Sequence, residues 1–118
     1  MSLPVEITFR GMDSSDFVSS SIREHADRLG TAHVDVQSCR IVVEAPSNHH
    51  NHGQPFHVRL EIRVPGEDIV IDREPGRPVP AHEDVYVAIT DAFHCARRRL
   101  EERMRRRREE RRRDGNGA

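Results

Sequence analysis

The residues from Val5 to Arg10 alternate apolar and polar, the period of a strand that buries one face. Gly11 breaks the alternation, and Asp13, Ser14 and Ser15 supply side-chain oxygens suited to opening a helix. Val18, Ile22, Ala26 and Leu29 then recur at helical spacing, which predicts a helix over 14–29 with Gly30 as its stop. Residues 36–45 read as a second strand, with Cys39, Ile41 and Val43 facing one way and Arg40, Val42 and Glu44 the other. The polar stretch 46–55, rich in turn formers, is a loop. From 56 to 64 the alternation is strict: Phe56, Val58, Leu60, Ile62 and Val64 on one face, His57, Arg59, Glu61 and Arg63 on the other. A sheet with such a strand is covered on one side only. Pro65-Gly66-Glu67 is a tight turn into a short strand over 68–73, so the third and fourth strands form a hairpin.

Residues 74–80 hold three prolines and a glycine, a stiff connector. A long helix follows from about His82, with Val85, Ala88, Ile89, Ala92, Phe93, Ala96, Leu100 and Met104 forming an apolar stripe. Beyond Met104 the stripe stops while helix-forming Arg and Glu continue, and Glu101–Arg105, Glu102–Arg106 and Glu109–Arg113 are spaced to pair along it. A helix over 82–113 is about 48 Å long, so its last turns project from the body. Residues 114–118 read as a disordered end. The order is βαβββα, an α+β fold of one four-stranded sheet with two helices on its apolar face. It matches the order of a double-stranded RNA-binding domain with a strand added in front. Residues 1–104 are the expected domain and 105–118 an Arg-rich extension.

Charge divides at the same place. Residues 1–96 carry eight Arg against fifteen acids, a net of −7, whereas residues 97–113 carry eleven Arg against four Glu, a net of +7. With Asp114 the chain sums to −1, and this near-neutral total conceals an acidic body joined to a basic helix. Such asymmetry points to a polyanionic partner. Arginine forks suit phosphate bidentately, and Arg105 to Arg108 place four cations in one turn.

Other chemistries find little support. No apolar run approaches the ~20 residues that span a bilayer, and no N-terminal signal is legible, so a cytoplasmic protein with no membrane partner is expected. Cys39 and Cys95 form neither a disulfide framework nor a metal-ligand spacing. His49, His50 and His52 with His57 nearby could meet a metal or RNA, but the loop holds no Cys or carboxylate and reads as polar surface. Cys95 follows His94 on one helix, where neighbours point about 100° apart. Cys39 falls on a buried strand face. No Gly-rich phosphate loop and no HExxH occurs, and the chain has no lysine. The expectation is no enzyme, no cofactor and no small-molecule substrate.

Several segments resemble one family. Ile7-Thr8-Phe9-Arg10 leading into a helix with Ile22-Arg23-Glu24-His25, the strand closing in Val64-Pro65-Gly66, and the run from Glu83 to Asp91 are similar to the ribosome hibernation-promoting factors. That family includes the ribosome-associated inhibitor A and sigma-54 modulation proteins. The resemblance runs from residue 5 to about 104; Phe9 stands where the family usually has Gly, and Cys95 where Lys is common. It implies a translation inhibitor that acts by occupancy when growth slows. Such a protein binds the small ribosomal subunit (its 16S-type rRNA) at the decoding region, as a monomer, and blocks mRNA and tRNA access. By position it gives RNA contacts to Arg23 and Arg28 on the first helix, and to Arg98, Arg99, Arg103, Arg105, Arg106, Arg107 and Arg108 on the second. The alternative is a protein-interaction module whose exposed Arg/Glu helix pairs with an acidic or helical partner.

Overall fold

In a computed structural model, residues 3–45, 56–73 and 84–116 are described. They form β1 (Val5–Arg10), α1 (Asp16–Ala32), β2 (Ser38–Glu44), β3 (His57–Val64), β4 (Glu67–Arg73) and α2 (Val85–Asn116). The expected loop with His49, His50 and His52, the proline connector and the expected first helical residue His82 lie outside the described residues.

The strands lie side by side in sequence order. β1 and β2 are parallel, Ile7 opposite Ile41, which requires the crossover that α1 provides. β2–β3 and β3–β4 are antiparallel, with Ile41 opposite Leu60 and Leu60 opposite Ile71. The second pairing closes through Pro65-Gly66, where Gly66 takes φ +83, a value that L side chains adopt at a cost. Cys39, Ile41, Val43, Val58, Leu60, Ile62, Val64, Ile69 and Ile71 all point to the helix side and are buried, together with Val18, Ile22, Ala26 and Leu29 of α1 and Ala88, Ile89, Ala92, Phe93, Ala96 and Leu100 of α2. The alternation read in β2 and β3 is therefore the core itself. On the opposite, open face, charge replaces apolar packing. Arg40 bridges Glu6 at 3.2 Å and Glu61 at 3.7 Å, and Arg59 bridges Glu61 and Asp72, each at 3.2 Å.

Three boundaries correct the sequence reading. Ser15 caps α1, its Oγ accepting from the Val18 amide at 3.2 Å, so the helix begins at Asp16. Gly30 does not stop the helix, which continues to Ala32 and is capped by the His33 amide donating to the Leu29 carbonyl at 2.9 Å. A side chain on Gly30 would meet Leu3 at 3.6 Å, an ordinary contact. Since glycine within a helix costs about 0.5–1 kcal/mol relative to alanine, Gly30→Ala should stabilise the fold by about that amount in urea unfolding; a loss would show that the Leu3 contact cannot yield. At the far end, α2 runs through Asp114 to Asn116, so the expected disordered end is helical that far. Adding residues to an existing helix is cheap compared with nucleating one.

Candidate nucleic-acid interface

α2 outruns the body. Its 32 residues correspond to about 48 Å, and the molecule's longest extent is 63 Å. Leu100 is the last buried apolar residue on the helix, and the next residue turned inward is Arg103, not Met104, which is 38% exposed. The Arg103 side chain is 7% exposed; one guanidinium nitrogen donates to Asp35 Oδ2 at 3.3 Å and the other to the Pro65 carbonyl at 3.0 Å. It ties α2 to the turn before β2 and to the β3–β4 turn. This corrects the expectation that Arg103 contacts RNA: its fork is occupied inside the fold.

Beyond Arg103 every residue from Met104 to Asp114 is exposed. Arg97, Arg98, Arg99, Arg105, Arg106, Arg107, Arg108, Arg111, Arg112 and Arg113 are all exposed, and none lies within ion-pairing distance of a carboxylate among the described residues. The expected pairs Glu101–Arg105, Glu102–Arg106 and Glu109–Arg113 are thus not closed. Exposed ion pairs gain at most about 1 kcal/mol and cost side-chain entropy, so the carboxylates do not hold these groups; Arg108 instead donates from Nη2 to Met104 Sδ at 3.5 Å.

The other expected contacts are not all brought together. Arg23 and Arg28 are both exposed on α1, but five residues apart they point about 140° apart around the helix. Arg28 Nη2 lies 3.3 Å from Nδ1 of His25, one turn earlier on α1. Asp16, Glu24 and Asp27 share the exposed surface of α1, so that helix carries no net positive charge there. Arg98 and Arg99 border a groove with Val70, Ile71 and Asp72 of β4, on the other flank of α2, and Arg98 also lies 3.4 Å from Cys95 Sγ.

Arg97 was not among the expected residues, yet it faces α1. His25 marks that flank: its ring stacks on Phe93 with centroids 5.1 Å apart and planes 12° apart, and its Nε2 lies 3.3 Å from Thr90 Oγ1. Burial, then the charge of Arg28, then His94 and Arg97 hold the His25 pKa below its ordinary 6.5, with Glu24 opposing. Helical spacing from Phe93, i to i+4, would have found Arg97. The imidazole titrates at 6.5 in the unfolded chain and lower in the fold, so the unfolded state takes up the proton first as pH falls. Stability should therefore be unaffected by this group above about 6.5 and decline as pH drops below it. The urea midpoint of His25→Gln should fall less steeply between about pH 6.5 and 5 than that of the parent; parallel profiles would show that His25 is not the group responsible.

Cys39 is 3% exposed, and burial pushes its thiol up to about 11, far from thiolate at neutral pH. His57 is held by Asp72 and Glu44 on the open sheet face. Among the described residues, no group of His, Cys, Asp and Glu could hold a metal ion, and no helix is long and apolar enough to cross a membrane.

Comparison with known proteins adds to this geometry. The sequence profile of the family described as "Sigma 54 modulation protein / S30EA ribosomal protein" matches residues 5–108. A ribosomal subunit interface protein from Coxiella burnetii has a similar structure, with TM-score 0.68 and 15% identity over 86% of this chain and 98% of that one. The N-terminal domain of Protein Y from Thermus thermophilus is also similar, with TM-score 0.62 and 16% identity over 86% and 98% of the two chains. At such identities the two structures show a shared fold. No curated protein sequence matches the chain.

Proposed function

Because this chain belongs to the family of sigma 54 modulation proteins and S30EA ribosomal proteins, we propose that it is a ribosome-associated translation inhibitor that binds the small subunit through rRNA. It occupies the decoding region and excludes mRNA and tRNA, with no chemical step. The observation that carries the reading is the set of α2 arginines other than Arg103, exposed and without carboxylate partners among the described residues. Phosphates would fill that role: each neutralised phosphate releases counterions, and a guanidinium fork meets phosphate oxygens in pairs. α1 contributes Arg28 and Arg23 at most as outlying contacts, since its acids offset them. Charge also separates this reading from a module for acidic proteins, because rRNA competes for a phosphate site and leaves a protein-specific one intact.

The test is initiation-complex assembly on purified small subunits, with labelled mRNA and initiator tRNA. Stoichiometric protein should prevent assembly, and added rRNA should relieve the block. Unchanged assembly at saturating protein would overturn inhibition by occupancy.

A further inference from the structure

The arginines beyond Arg103 are not spread evenly around the helix. The buried Ala92, Phe93, Ala96, Leu100 and Arg103 mark the side of α2 that faces the body. Thr90 and Arg97 mark the flank toward α1, and Cys95, Arg98, Arg99 and Glu102 the flank toward β4. At about 100° per residue these bearings carry forward along the continuous helix. Arg106, Glu109, Glu110 and Arg113 continue the β4 flank, two cations and two anions. Arg105, Arg107, Arg108, Arg111 and Arg112 fill the remaining arc of about 160°, from the body side across the α1 flank to the outer surface. From 105 to 113 that arc holds no acid. Arg97 has nearly the same bearing as Arg108, although Glu101 and Met104 occupy the turns between them.

We infer that this one arc of α2, toward α1, is a track for a phosphodiester backbone, and that the β4 flank of the same segment stays out of the contact. The inference rests on the proposed function and assigns the surface that carries it. A field of positive charge alone would not discriminate between faces, whereas bidentate guanidinium–phosphate contacts do, because they require the fork to face the strand. The segment is already helical as a continuation of packed α2. A free peptide of its length is marginal as a helix, so the fold presents the arc in a fixed orientation.

Two double variants of equal charge decide it: Arg108→Gln with Arg111→Gln on the arc, and Arg106→Gln with Arg113→Gln on the β4 flank. Both are assayed for binding to purified small ribosomal subunits across a salt series, with helix content checked by circular dichroism. The arc pair should weaken binding roughly tenfold and lower the log–log salt slope by about 2, while the flank pair stays within about twofold of the parent. Equal losses from the two pairs, or a larger loss from the flank pair, would overturn the inference while leaving the proposed function intact. Parent protein that fails to bind the subunit at any salt would overturn the proposed function itself.

Discussion

Removing residues 105–118 is expected to cost at least about a hundredfold in affinity for the small ribosomal subunit near 0.1 M salt, with the melting temperature little changed. The two readouts separate because residues 105–114 are all exposed. The last buried apolar side chain is Leu100, the last inward tie is Arg103, and both remain in a chain ending at Met104. The deletion removes seven arginines and three acids, all exposed. Losing the five on the acid-free arc should lower the salt slope by about 4 to 5. Sedimentation with the subunit at two ionic strengths, together with a thermal melt, checks both halves. A truncated chain that melts as before and still binds as before would move the contact to the body, against the charge of α1.

Arg103→Ala should destabilise the fold by about 2–3 kcal/mol, the largest effect expected of any single charged side chain here. Two terms add. The Pro65 carbonyl and Asp35 each lose a donor, and a long aliphatic stem leaves a site where it is packed against the body. Asp35 is 56% exposed, so it recovers water on losing its partner, which keeps the cost below that of a fully buried ion pair. For the same reason Asp35→Asn should cost under about 1 kcal/mol. Arg103→Lys should recover little, because a single ammonium cannot serve two acceptors held by the two ends of a guanidinium. Urea midpoints of the three variants test this ranking. Since Arg103 fastens α2 to the turns before β2 and between β3 and β4, amide exchange from 104 to 110 should also quicken in Arg103→Ala, and in Arg103→Lys to a lesser degree. Unchanged exchange would show that the projection is held by helix continuity alone.

The layout of the body was legible because its signals are local. The alternation of Val58, Leu60, Ile62 and Val64 needs only strand geometry to place a core on one face, and all four are buried. Gly30 was misread because a glycine after an apolar helical stripe is a stop by statistics, whereas here the helix is held past it by the His33 cap. The stripe of α2 failed at its end for a different reason. After Leu100, i+3 is Arg103 and i+4 is Met104; hydrophobicity selects methionine, yet Asp35 and the Pro65 carbonyl, 68 and 38 residues away, select arginine. Contacts of that separation leave no trace in local pattern. The same holds for Arg97, whose bearing toward α1 follows from His25, Thr90 and Phe93 packing α1 against α2. Net charge singled out the basic segment, but only the helix bearings show that Glu109 and Glu110 lie off the arc of Arg105, Arg107, Arg108, Arg111 and Arg112.

Binding of the full chain to separated ribosomal subunits, measured by sedimentation at low and raised salt, tests the account most directly. The expected result is one copy on the small subunit, none on the large, with affinity falling steeply as salt rises. Equal association with both subunits, or small-subunit binding indifferent to salt, would contradict a specific contact made by arginine and phosphate.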